Sequence, residues 1–282
     1  MKNWVILTVL YAMFNGLFQC SKKKAAERNS IYEVLAWFSL VSFLLVAFTS
    51  KNIFNVELSS LLMILCKSIV VLISWMLGVY ALNKMPISLY SVINLSRIIF
   101  SILMSVILLG EKITTLALIG IIIVIIGLGL VNKNPNEKEE KECSLKMLII
   151  VLVACLLNSI SAIIDKKILQ DINSNQLQFW FLLFLTIGYW LILLVRKEKI
   201  NFKSINKNYW IPIAAICLTL GDRLLFIANE IPESKVSIMT LIKQLTAIES
   251  IILGKIVFKE KNIIKKLLCS VLIIFGIVLT LI

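Results

Sequence analysis

Two basic side chains stand where an apolar chain tolerates them least. Arg97 lies mid-way through the apolar run Ile87–Leu109, and Lys243 lies inside the run Ser237–Phe258. An ionisable side chain inside a membrane helix costs at least about 2.5–3.5 kcal/mol, so such residues turn toward protein or water rather than lipid. Around Arg97, the residues Ser91, Asn94, Ser101 and Ser105 recur every three or four positions. Around Lys243, the residues Ser237, Thr240, Thr246 and Ser250 do the same, with Gln244 adjoining. That spacing gathers each set on one helical face. A single Ser or Thr there is equally explained by helix packing or by a bond to its own backbone. Arg97 and Lys243 demand a polar surrounding.

Other candidates lie in neighbouring runs. Lys67 sits about a third of the way into Leu58–Leu82, with Ser74 and Trp75 further along. Its four-carbon stem either snorkels to the interface or ends in the interior, and Trp75 either stacks on a ligand or packs. Asp222 and Arg223 are adjacent, so they point about 100° apart on a helix. One is expected to face the interior and the other to meet a partner such as Glu249 or Lys67. The first run places Tyr11, Asn15 and Gln19 at intervals of four, extended by Lys22 or Lys23, and the sixth aligns Asn158, Ser161 and Asp165 similarly. Glu111 and Glu260 lie at turns between runs and are expected to cap or pair rather than bind a ligand.

Lys67, Arg97, Arg223 and Lys243 against Asp222 and Glu249 leave an interior charge of +2. Unneutralised positive charge is costly at low dielectric, and an anionic ligand would offset it. Arg97 and Lys243 are the expected anion contacts, since guanidinium suits carboxylate or phosphate. Asn15, Asn94, Asn158 and Gln244 would orient the ligand by hydrogen bonds, Trp75 would wall it, and Gln19, Lys67 and Arg223 complete the set. The chain has no histidine, so a coupling proton would have to ride on a desolvated carboxylate, with Asp165, Asp222 and Glu249 as candidates. An exchanger needs no such group.

Composition dictates the elements that position these residues. Sixty per cent of the chain is hydrophobic against about 45–50% for a soluble domain, and mean hydropathy is +0.96. Ten apolar runs are long enough, at about 20 residues, to span a bilayer: Trp4–Cys20, Val34–Thr49, Leu58–Leu82, Ile87–Leu109, Thr115–Val131, Leu145–Ile164, Leu177–Val195, Tyr209–Ile227, Ser237–Phe258 and Ile263–Ile282. The first is not followed by a small-residue cleavage site and reads as a span rather than a leader. The expected fold is an all-α integral membrane protein of a bacterial-type cytoplasmic membrane. The net charge of +13 sits in short loops, which points to topology and anionic lipid head groups rather than nucleic acid. Eighteen basic residues fall on the side opposite the N-terminus against six beside it; taken alone the tally favours termini outside, while lysines in helix ends or a solvated vestibule would not count toward it, so both orientations stay open. The six cysteines form no CxxC pair and read as small hydrophobes. The absence of histidine, of a phosphate-cradling glycine loop and of paired metal-ligand motifs argues against an enzyme, a metal or a cofactor.

The chain also repeats itself. A shift of 143 positions carries Asn15 onto Asn158, Lys23-Lys24 onto Lys166-Lys167 and Trp37-Phe38 onto Trp180-Phe181. At a shift of 149, Glu111-Lys112 meets Glu260-Lys261 and Gly127 meets Gly276. The halves are residues 1–132 and 145–282, joined by a polar linker at 133–144 that holds Pro135. Each half has five runs, an odd number, so the second enters the membrane from the opposite side as an inverted repeat.

With these landmarks the chain resembles the ten-helix drug/metabolite transporters with EamA-type domains. The features that carry the likeness are the Asn-then-Lys-Lys pattern of each half, the Gly110-Glu111-Lys112 turn and the glycine-bearing helix with Gly120, Gly127 and Gly129. Lys259-Glu260-Lys261 and Gly276 repeat that ending. Such proteins often carry a proline about thirteen residues before each Glu; Ile98 and Ala247 stand there instead. The resemblance implies a central cavity lined by both halves and alternating access. The expected function is secondary transport of a small anionic or zwitterionic metabolite by a monomer or homodimer. The alternative is a flippase for an anionic lipid-linked substrate.

Overall fold

The computed structural model describes residues 3–49, 53–100, 115–132, 144–198, 202, 206–231, 234, 239 and 242–281. Among them the chain is all helical: α1 (Asn3–Ala26), α2 (Ile31–Thr49), α3 (Leu58–Lys84), α4 (Ile87–Asn94), α5 (Thr115–Asn132), α6 (Leu145–Ile168), α7 (Ser174–Arg196), α8 (Trp210–Glu230), α9 (Leu245–Phe258) and α10 (Ile263–Leu281). Six of them, α1, α2, α3, α6, α7 and α8, are long and apolar enough to cross a membrane. Ser101, Ser105, Gly110 to Lys112, Pro232, Ser237, Thr240 and residues 133–143 of the linker lie outside the described residues.

Helices in lipid invert the usual rule for surfaces, because the solvent is hydrocarbon. Ile6, Leu10, Met13 and Leu17 of α1 are exposed at intervals of three or four, as are Leu62, Leu65, Ile69 and Ile73 of α3 and Ile264, Leu268, Val271 and Phe275 of α10. These stripes present apolar side chains outward on one helical face each.

The packing is organised across the halves. α1 packs against α8 and α9, and the corresponding helices of the other half, α6 with α3 and α4, do the same. α2 packs on α7, α4 on α9 and α5 on α10. Exchanging each helix with its counterpart five places along leaves this set of pairings unchanged. Hydroxyls fasten several of the joints: Ser42 donates to the Ala215 carbonyl at 3.2 Å, Ser74 to Ala154 at 2.9 Å and Thr246 to Ala12 at 3.1 Å. So Thr246 of the predicted polar stripe serves packing.

The α5–α10 joint depends on one missing side chain. A Cβ at Gly276 would lie 2.8 Å from the Gly120 carbonyl oxygen and 3.0 Å from the Cγ2 atoms of Ile123 and Val124. Backbone cannot yield as a flexible side chain does, so the helices would have to separate. Gly276→Val is expected to destabilise the protein by about 1–3 kcal/mol, the usual range for overpacking. A thermal melt in detergent reads this out, and an unchanged midpoint would show that α10 slides freely.

One end of the bundle is tied by a single carboxylate. α4 starts after Pro86 with no side-chain cap of its own. Glu260, in the turn between α9 and α10, supplies that cap: it accepts from the Ile87 N–H at 2.6 Å, from the Ser88 N–H at 3.1 Å and from the Ser88 hydroxyl. Lys23, at the end of α1, pairs with the same carboxylate at 3.3 Å and donates to the Met85 carbonyl at 2.8 Å. The capping role expected for Glu260 is therefore met. The same end holds Arg28 against Tyr209, Arg196 against Tyr32 and Asn208 against Asn29, so basic loop residues from both halves collect there.

Candidate functional site

α4 and α9 do not run straight. α4 ends at Asn94, Leu95 and Ser96 form a turn, and helix resumes at Arg97. α9 begins at Leu245, preceded by a turn at Gln244 and helical residues at 242–243. The two turns occupy equivalent repeat positions, 149 apart. At each the backbone tightens to i→i−3 bonds: Ser96 N–H to Ile93 at 3.0 Å, Ile99 N–H to Ser96 at 2.9 Å, Ala247 N–H to Gln244 at 2.9 Å. Such a tightened stretch frees carbonyls that a straight helix would use. The Arg97 carbonyl accepts from Ser159 of α6 at 2.9 Å. Residues 98 and 247, where the resembling family often has proline, carry Ile and Ala, so neighbouring helices hold the breaks in place.

The breaks bring Arg97 and Lys243 into one space. Lys243 experiences the charges of Arg97, Asp165 and Asp222. Asp222 in turn experiences Lys67, Asp165, Lys243 and Lys22, and Tyr11 experiences Arg97, Asp222 and Asp165. The Lys243 ammonium stands 5.7 Å from the centre of the Tyr11 ring, and Asn15 donates to the Tyr11 hydroxyl at 3.4 Å. Helices α1, α3, α4, α6, α8 and the start of α9 thus contribute to one electrostatic cluster. Tyr11, Asp222 and Lys243 are surrounded by protein, yet each keeps part of its surface accessible. Enclosed groups that keep accessible surface are the ones a ligand entering between these helices would meet.

Lys67 belongs to this cluster and does not snorkel. It is 2% exposed and forms an ion pair with Asp165 of α6. The sequence offered Lys67 as a partner for the acid Asp222, whereas the acid it pairs with is Asp165. The packing of α3 on α6 makes that choice, and it is not visible in either run alone. Phe181 and Phe226 lie 4.0 and 5.1 Å from the ammonium. Breaking this pair is expected to be costly. Lys67→Met leaves Asp165 unpaired and should lose about 3–5 kcal/mol, while Lys67→Met with Asp165→Leu should recover most of it. Melting temperatures of the two single variants and the double variant decide this; additive losses would show that the two side chains act independently.

The remaining expected site residues divide. Asn158 donates to Ser74 at 2.7 Å and to the Ala154 carbonyl at 2.9 Å, joining α6 to α3 beside the Lys67–Asp165 pair. Asn94 accepts from the Cys155 thiol at 3.2 Å, at the α4 break. Gln244 forms the α9 break itself. Trp75 packs in a ring cluster with Phe18, Phe38 and Phe181. Arg223 sits apart from the cluster, donating to Gln178 at 3.3 Å, with the charge of Glu230 acting on it. Glu249 also sits apart, its carboxylate over Gly16. Its Oε2 and the Oε1 of Gln19 are buried without hydrogen-bond partners among the described residues. Lys22, which the sequence offered only as an extension of the α1 line, is 4% exposed and lies against Phe18 and Trp75. Its spacing from Tyr11 and Asn15 was the available signal. Among the described residues no group of three or more Cys, Asp or Glu side chains converges as a metal site would require.

A family model described as the EamA-like transporter family matches the chain twice, over residues 2–133 and 145–282. A crystal structure of a protein aligns over 96% of this chain and 95% of its own, with a TM-score of 0.66 and 10% identity, a likeness of fold. A search of the curated proteins found no match.

Proposed function

This chain belongs to the EamA-like transporter family, and from that premise we propose that it carries a small anionic or zwitterionic metabolite across a bacterial-type cytoplasmic membrane by alternating access. The observation that carries this reading is the approach of Arg97 to Lys243, from breaks at equivalent positions of two repeats, with the acids Asp165 and Asp222 acting on Lys243. With Lys67 and Lys22 added, four cations and two acids gather there among the described residues, a surrounding that suits an anionic ligand. Interrupted helices near the middle of a membrane are a recurrent way of presenting backbone and charge to a substrate.

The exchange symmetry of the helix pairings supports ten spans arranged as two inverted halves, since a two-fold related pair can rock about a fixed site. The end that gathers Lys23, Arg28 and Arg196 is proposed to face the cytoplasm, which puts the termini outside. A thermal-stability screen of the purified protein against metabolites tests the reading, because ligand bound to the folded form raises its melting temperature. Stabilisation by carboxylate or phosphate metabolites, followed by counterflow of the best of them in proteoliposomes, is the expected result. Stabilisation by cationic or neutral compounds alone would overturn the anion reading and leave the family membership untouched.

A further inference from the structure

Hydropathy ends the first span at Cys20, and the following Lys22-Lys23-Lys24 reads as a loop. The helix instead continues to Ala26, which separates the fates of the three lysines. Lys23 is held by Met85 and Glu260, and Lys24 by Glu27 at 2.9 Å. Lys22 turns inward. It is 4% exposed, and no oxygen among the described residues lies within hydrogen-bond reach of its ammonium. Its neighbours are rings: Phe18 at 4.2 Å and Trp75 at 5.8 Å. Asp222 is the acid whose charge acts on it, without contact.

An ammonium carries three donors, and ring faces satisfy none of them as an oxygen would. Lys22 shares a stripe of α1 with Tyr11, Asn15 and Phe18, at spacings of four, three and four. Tyr11, under the Lys243 ammonium, and Asn15 stand at one end of that stripe, and Lys22 stands about 16 Å along the axis at the other. Between them runs a wall of rings. Phe18 meets Trp75 edge-on at 5.8 Å, Trp75 meets Phe181 at 6.2 Å, and Phe181 lies 4.0 Å below Lys67. The wall has a cation at each end. Lys67 is paired with Asp165; among the described residues no carboxylate pairs with Lys22.

We propose that Lys22 is a second anion subsite of this protein, taking the carboxylate of an organic acid whose flat apolar body lies along Phe18 and Trp75. The proposal rests on the reading that the cluster admits substrate, and it narrows the substrate class to acids with an aryl or similar planar body. Ring-on-ring contact supplies apolar area with a preferred edge-to-face geometry. The carboxylate supplies the oxygen that Lys22 lacks.

The test titrates the full chain in nanodiscs with 3-phenylpropionate, its uncharged amide and phenethyl phosphate, read by calorimetry. The acid is expected to bind at least about tenfold more tightly than the amide, one charge-assisted contact being worth that much. Lys22→Met should weaken the acid by about tenfold and leave the amide unchanged, and Lys22→Arg should stay within about threefold of the parent. Equal binding of acid and amide, or unchanged acid binding in Lys22→Met, overturns the proposal. Tighter binding of the phosphate, lost in Lys22→Met, overturns the carboxylate assignment. Arg97→Met runs in parallel: if it abolishes acid binding while Lys22→Met does not, the subsite falls and the carrier reading stands. If neither variant changes binding, both fall. Lys22→Gln provides the same comparison should Lys22→Met fail to give a monodisperse, cooperatively melting protein.

Discussion

Arg97→Met is expected to remove transport almost completely, with a loss of affinity for the transported anion of about a hundredfold to a thousandfold. The change keeps an unbranched stem of similar volume and deletes only the charge and its planar donors. A ligand carboxylate or phosphate at the cluster would then lose its guanidinium partner and keep only ammonium contacts. Removing one partner of a buried charge contact leaves the other unpaired, and that penalty rather than the lost attraction sets the size of the effect. Arg97→Lys should restore a part only, because an ammonium cannot make the bidentate fork. Lys243→Met is expected to follow the same course, since Lys243 and Arg97 lie close enough for the charge of one to act on the other. Uptake and equilibrium binding in proteoliposomes measure this, with melting temperature as the control for folding. A variant that folds normally and binds the anion as before would take Arg97 out of the site.

Glu260→Ala is expected to be the most destabilising single change at the basic end of the bundle, by about 3–5 kcal/mol. It unpairs the N–H groups of Ile87 and Ser88 and the Ser88 hydroxyl, and leaves Lys23 with the Met85 carbonyl alone. Those donors sit at the start of α4, where a helix has no internal acceptors to offer. Glu260→Gln keeps an acceptor and loses the charge, so about 1–2 kcal/mol is expected. Chemical denaturation in mixed micelles separates the three proteins. A melting temperature for Glu260→Ala within about a degree of the parent would mean that water replaces the cap without loss.

Much of the fold is legible in apolar run length, because in lipid every backbone polar group must be satisfied within its own helix. The runs from Leu58, Thr115, Leu145 and Ile263 each coincide with the first residue of a helix. Three features escape that reading for a common reason. α1 outruns its apolar stretch by six residues because Lys22 packs on rings and Lys23 on Glu260. α4 and α9 break without proline or glycine at the break, because neighbouring helices take up the freed groups. Lys67 finds Asp165 because α3 lies on α6. Each depends on a partner far away in the chain. The site divides along the same line. Spacing and charge marked Arg97, Lys243, Tyr11 and Asn15 as interior, whereas Arg223 and Glu249, each also charged, settle elsewhere.

The pairing of helices across the two halves bears on how the chain is made. Half of the molecule leaves the ribosome before any of its principal contact surfaces has a counterpart. Arg97 and Lys67 then await their neighbours in a nascent chain whose matching helices have not been synthesised. Lys67 can pair as soon as α6 brings Asp165, whereas Arg97 meets Lys243 only when the start of α9 arrives, so the charged cluster is completed late in synthesis.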